Sequence, residues 1–257
     1  MTQTQPTITT NKLGRITAFL YGLVSYIIFF ITFLYAIGFL GNILVPKSID
    51  SPSQIPLTQA LMINLALLTV FALQHSVMAR QSFKNWWTKI IPQPIERSTY
   101  VLFSSLALIL LFWQWQPMGG IVWNLQNSIG RIILLSLFGF GWLLVLISTF
   151  LINHFDLFGL RQVYLYLRGE TYIPLKFSTP GLYKIVRHPL YVGWFFAFWM
   201  TPTMTIAHLV FAIVTTLYIL IAIQLEERDL ISIHGEDYET YRRQVPMIIP
   251  FLKNQQT

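Results

Sequence analysis

The sequence predicts an all-α integral membrane protein of five to six transmembrane helices, the last two forming a C-terminal helical hairpin. Three observations carry this reading. Only 11% of the 257 residues are charged and 54% are hydrophobic, against roughly 25% charged in an ordinary soluble domain. Five apolar stretches, at about 15–40, 57–78, 98–116, 129–152 and 189–225, have the length that crossing a bilayer requires. The basic residues are also unevenly placed. With the N-terminus inside and six passes, segments 1–15, 79–97, 153–188 and 226–257 share one face, and they hold 15 of the 17 Lys and Arg residues. That asymmetry puts this face in the cytoplasm.

The same numbers exclude other classes. A formal charge of +7 reads as positive-inside topology and not as a nucleic-acid footprint. The absence of cysteine removes disulfides, thiolate metal sites and cysteine nucleophiles. No HxxxH or HExxH spacing occurs among the five histidines, so no metal is expected.

The elements follow in order. The polar start MTQTQPTITTN lacks a cleavage pattern, and residues 16–40 are too long and aromatic for a signal-peptide core, which makes them an anchored helix. The second, third and fourth stretches are single spans. The 153–188 connection has apolar content of its own, with Val163, Tyr164, Leu165 and Leu167 suited to a short interfacial helix. Loops of this length are more often functional than slack. From Pro189 to Leu225 there is no Lys, Arg, Asp or Glu, and this run is too long for one pass across ~30 Å of hydrocarbon. TPTMT near its middle marks a break, with the first arm the shorter. Gly235 then turns the chain into a helix with Tyr238 and Tyr241 on one face, able to fold back over the hairpin's end or to lie on the bilayer. The tail FLKNQQT reads as disordered. The whole, 1–257, is one domain: 15–152 supplies the first four spans and 153–257 the C-terminal region.

Charged groups gather at both ends of the hairpin, where its arms return to the same face. Pro189 suits a first helical turn, and a helix start beside Arg187 and His188 can receive an anion. Equally, Arg187 can meet lipid phosphate and His188 can be an interfacial cap. At the other end Glu226 and Glu227 oppose a helix dipole, which requires a cation, either Arg187 or a cationic ligand. Tyrosine faces attract such a cation. A zwitterion with a cationic centre matches both clusters. S-adenosylmethionine is one, although physics alone does not select it. His75, His154, Asp156 and His208 are titratable groups at membrane depth, and such groups are functional candidates by default. His75 and Asp156 fall near cytoplasmic helix ends and could meet in one pocket. His208 falls on the far side, where a structural role is expected.

RHPLYVGW (187–194) and EERDLISIHGEDYETYRRQVPMIIP (226–250) resemble the C-terminal signature of the isoprenylcysteine carboxyl methyltransferase superfamily. These are membrane enzymes that use S-adenosylmethionine. LQHSVMAR (73–80), NHFDLFGLRQVYLYLRG (153–169) and FWMTPTMTIAHL (198–209) resemble more closely a bacterial branch that makes dimethyl sulfide from methanethiol. His234 departs from the pattern at a position that is often phenylalanine, a change expected to be tolerated. The resemblance implies a cytoplasmic cofactor cradle of Arg187, His188, Tyr191, Glu226, Glu227, Tyr238 and Arg242, in a multi-pass protein of the bacterial inner membrane. Methyl transfer to a thiol is an in-line displacement that needs a base; His75 with Asp156 is the candidate pair and Glu227 the reserve. A small thiol arriving from the lipid bilayer would meet Tyr35, Trp194, Phe198 and Trp199, each of which could as well be packing. Two alternatives stay open: methylation of a larger lipid or isoprenylcysteine acceptor, and a non-enzymatic transport or quinone-binding protein.

Overall fold

The computed structural model describes residues 12–52 and 54–250; the ends of the chain, including FLKNQQT, lie outside the described residues. Five helices are long and apolar enough to span: α1 (Lys12–Gly41), α2 (Leu57–Ala79), α4 (Glu96–Gln114, preceded by a 3-10 turn), α5 (Ser128–Ile152) and α9 (Ile206–His234). Between them lie α3 (Gln81–Trp87), β1 (Ile121–Asn124), α6 (His154–Leu157), α7 (Leu160–Arg168), α8 (Pro189–Trp199), β2 (Thr203–Thr205) and finally α10 (Glu236–Gln244). The expected interfacial helix over 163–167 is α7.

Local chemistry explains the boundaries. The Asn127 side chain caps α5 by accepting from the Gly130 amide at 2.9 Å. Asn153 ends α5 in a left-handed conformation, φ 92°, and its side chain then caps α6 through the Asp156 amide at 3.0 Å. Pro189 opens α8 in its first turn. The Thr205 hydroxyl accepts from the His208 amide at 3.1 Å and starts α9.

The first arm of the hairpin is only partly helical. At 1.5 Å per residue α8 covers about 16 Å, against about 32 Å for α9 from Ile206 to Glu227, and residues 200–205 carry the chain on to the tip. That tip is anchored on the face opposite the long 153–188 connection. There β2 pairs antiparallel with β1, Ile121 opposite Thr205, and the Thr205 hydroxyl donates to Asp50 in the α1–α2 loop. Buried His208 donates through Nε2 to the Phe198 carbonyl at 2.9 Å, with Asp50 3.9 Å from its other nitrogen. The structural role expected of His208 is the one it has.

The first arm settles against α5 at one tight crossing. A Cβ added to Gly141 of α5 would stand 2.7 Å from the Gly193 carbonyl of α8, and one added to Gly193 would stand 2.8 Å from the Gly141 carbonyl. Backbone meets backbone there because neither residue has a side chain. An aromatic core of Phe39, Phe112, Trp115, Phe138, Trp142 and Phe211 fills the middle. Leu20, Ile31, Leu65, Ile132, Leu217 and Ile221 stay exposed on the outside of the spans, where lipid is the matching solvent.

Candidate active site

The two charged clusters of the hairpin meet as its topology requires, and they do so by hydrogen bonding to each other. Arg187 Nε and His188 Nε2 both donate to Glu227 Oε1, at 2.7 and 2.9 Å, and the three side chains are only 4–7% exposed. Arg187 Nη1 also donates to the Arg242 carbonyl at 3.0 Å and the Val245 carbonyl at 2.6 Å. Arg187 is therefore the cation that compensates the acidic end of α9. Its Nε and Nη1 donors face a carboxylate and two carbonyls of the protein. The backbone adds a second clamp: the Arg187 and His188 amides donate to the Pro246 and Met247 carbonyls at 2.8 and 3.1 Å. Arg242 enters this ring through its carbonyl.

α10 folds back over the hairpin's end and does not lie outward. Tyr238 and Tyr241 are buried on its inner face, with Phe177 of the long connection packed edge-on to both at 5.7 and 5.6 Å, and against His234 at 5.1 Å. Burial, and for Tyr238 the Glu227 carboxylate, push both phenols above their ordinary range, so both stay protonated. The Tyr241 hydroxyl donates to the Tyr183 carbonyl at 2.6 Å. The Tyr238 hydroxyl is buried and has no hydrogen-bond partner among the described residues, an arrangement that costs stability and calls for an explanation.

Glu226 opens toward a different neighbourhood. Tyr191 of α8 donates to its Oε2 at 2.9 Å. Nearby, Phe71 of α2 stacks on His75 at 5.3 Å and meets the Tyr218 ring edge-on at 6.3 Å. The Tyr100 hydroxyl stands 2.9 Å from His75 Nε2 and 3.1 Å from Nδ1, and the Ser104 hydroxyl 3.2 Å from Nδ1. Helices α8 and α9 thus share the Tyr191–Glu226 bond, and α2, α4 and α9 meet around His75, Tyr100 and Tyr218.

The pairing of His75 with Asp156 is a correction. Asp156 accepts from Arg161 at 2.8 Å and from the Tyr172 hydroxyl at 3.3 Å, whereas His75 has only hydroxyl partners. His154 is buried between Tyr26 and Thr149, each 2.8 Å from a ring nitrogen. The four aromatic candidates for a thiol pocket do not converge either. Tyr35 donates to the Lys47 carbonyl at 3.0 Å on the opposite face. Trp194 stacks on Phe198 within the core. Trp199 binds the Thr216 hydroxyl at 2.9 Å and borders an outer apolar groove with Phe195, Phe196 and Met200. Sequence reasoning missed Tyr100, Tyr218, Ser76 and Ser104; a hydroxyl inside an apolar span was the available signal.

Fold and site define a multi-pass, all-helical membrane protein with a buried polar cradle at one face, and its relatives make that class one of methyltransferases. The chain is 65% identical over 250 residues, 97% of its length and 98% of the relative's, to methanethiol S-methyltransferase of Crocosphaera subtropica. It is 53% identical over 237 residues, 92% of this chain and 97% of the relative, to methanethiol S-methyltransferase of Mycobacterium tuberculosis. Nurim of Mus musculus is 30% identical over 176 residues, 65% of this chain and 66% of that protein. No family model matches, and no solved structure does. The chain belongs to the methanethiol S-methyltransferase family.

Proposed function

We propose that this chain methylates methanethiol to dimethyl sulfide, with S-adenosylmethionine as donor and the charged face in the cytoplasm. The observation that carries the reading is the 65% identity over 97% of the chain to a relative of that name. The cradle supports the donor. Its residues suit a zwitterion with hydroxyls: Tyr238 offers a buried hydroxyl with no partner among the described residues, Glu226 and Glu227 offer acceptors for an ammonium or ribose hydroxyls, and Tyr191 and Tyr238 offer aromatic faces to a cation. When bound there, S-adenosylmethionine would supply a methyl group on an electron-poor sulfonium. Arg187 and His188 would hold Glu227 in place, and Tyr191 would orient Glu226.

The acceptor must lose its proton. His75 is the proposed base, reached through Tyr100, whose hydroxyl stands 2.9 Å from Nε2 and 3.1 Å from Nδ1: a thiol beside that hydroxyl can pass a proton to it as the hydroxyl passes its own to the imidazole. The sequence asymmetry, with 15 of the 17 Lys and Arg residues in segments expected on one face, supports the cytoplasmic orientation. Calorimetry of detergent-purified protein with S-adenosylmethionine tests the cradle: saturable binding weakened by Glu226→Ala supports it. Unchanged affinity in Glu226→Ala and Tyr238→Phe together would sink the site assignment.

A further inference from the structure

We propose that the seam between α2 and α9, bridged by Ser76 and Tyr218, sets the size of the acceptor by closing the site to lipid-borne chains. The inference rests on the thiol-methylation reading and specifies its substrate class as short-chain thiols.

The seam can be read from side chains on both of its edges. α2 and α9 run in the same direction, each ending on the site face, but α2 packs chiefly on α4 and α9 on α8 and α10. Between α2 and α9 a ring contact of Phe71 with Tyr218 at 6.3 Å is joined by polar bridges. Ser76 Oγ and the Tyr218 hydroxyl stand 3.1 Å apart. Just beyond, Arg80 Nη1 pairs with Asp229 at 2.9 Å and donates to the Leu225 carbonyl at 3.4 Å. Arg80 Nε returns to the Ser76 carbonyl at 3.2 Å, so the two bridges are tied together.

Burial shows where this seam faces. Leu73 and Val77, which flank Ser76 on α2, are 60% and 48% exposed, and Leu217 and Ile221, which flank Tyr218 on α9, are 56% and 62% exposed. The seam therefore fronts the bilayer. Behind it the Tyr218 ring meets Phe71 at 6.3 Å, Phe71 stacks on His75 at 5.3 Å, and the Tyr100 hydroxyl stands 2.9 Å from His75 Nε2. A thiol that enters from lipid along this route meets the Tyr218 ring last. Methanethiol needs only a momentary opening. A long alkyl or isoprenyl thiol would leave its tail lying through the seam during reaction, and the Ser76–Tyr218 bridge occupies that space.

The test compares kcat/KM for methanethiol, 1-butanethiol and 1-octanethiol in nanodiscs, for wild type, Tyr218→Phe, Tyr218→Ala and Ser76→Ala. Wild type should fall steeply with chain length. Tyr218→Ala should raise the octanethiol-to-methanethiol ratio by roughly tenfold or more, a change of the size that pocket volume commonly gives. Tyr218→Phe and Ser76→Ala, which remove only the bridge, should raise it less, with the change in KM and not kcat. An unchanged ratio in folded variants overturns the proposal, as does a wild type that uses octanethiol as well as methanethiol. If Tyr218→Ala does not fold, Ser76→Ala and Tyr218→Phe decide the matter. A wild type that methylates no thiol refutes the reaction instead, and the seam is then read from calorimetry with methyl octyl sulfide. Tighter binding in Tyr218→Ala supports it, and equal binding overturns it.

Discussion

Glu227→Met should be among the most damaging single changes outside the apolar core. Arg187 and His188 both rest on Glu227 Oε1, at 2.7 and 2.9 Å, and Arg187 is 4% exposed. Removing the carboxylate leaves a buried guanidinium with two carbonyl partners and no countercharge. Breaking a buried pair from one side costs about 3–5 kcal/mol. If most of that appears in the unfolding barrier, inactivation accelerates roughly 10²–10⁴-fold, since ~1.4 kcal/mol is a factor of ten. Arg187→Met strands Glu227 with His188 alone and should cost a comparable amount. The double variant removes both charges, and apolar replacement of a whole buried pair is close to neutral. It should outlive either single variant. The assay is tryptophan fluorescence decay at fixed elevated temperature in detergent, read as a double-mutant cycle. Single losses below about 1 kcal/mol, or costs that simply add, would refute the view that this pair closes the hairpin against α10.

Gly141→Ala and Gly193→Ala should each destabilise by about 1–3 kcal/mol or more, because the new Cβ meets backbone at 2.7–2.8 Å; thermal melts would show it. His75→Ala should lower turnover by about 10²–10⁴-fold, less at alkaline pH where methanethiol is already thiolate; a uniform loss across pH would make His75 a packing residue. Asp156→Ala should change turnover little, since its ion pair with Arg161 is partly exposed and worth about 0–1 kcal/mol; a loss matching that of His75→Ala would restore the discarded partnership. Burial lowers the pKa of His154, so the unfolded chain takes up a proton first as pH falls below about 6.5. Its stabilisation is therefore complete above that pH and erodes below it, and melting temperatures from pH 8 to 5 should fall more steeply for wild type than for His154→Gln.

What the sequence made legible is what depends on composition and on chain order. Spans α1, α2, α4 and α5 follow from apolar length, and the hairpin break follows from a proline in TPTMT. The return of Glu227 to Arg187 and of Glu226 to Tyr191 follows from a hairpin whose two ends share one face. Side-chain partners across non-adjacent helices were not legible. His75 and Asp156 share a face, but helix rotation gives one to Tyr100 and Ser104 and the other to Arg161 and Tyr172. Tyr35 and Trp199 look like pocket aromatics until depth is known; Tyr35 sits at the far end of α1, where it binds the Lys47 carbonyl. Tyr100 and Tyr218 carried a weak signal, a hydroxyl in an apolar run, which many packing tyrosines share.

The most direct test of the central claim uses a deuterated donor. Purified protein in nanodiscs would receive S-adenosylmethionine labelled with CD3 on sulfur, together with unlabelled methanethiol, and the headspace would be read by gas chromatography with mass detection. The account predicts dimethyl sulfide carrying one CD3 group, formed in step with S-adenosylhomocysteine and strongly reduced in Glu226→Ala. Folded protein that binds the donor but yields no labelled dimethyl sulfide would contradict it.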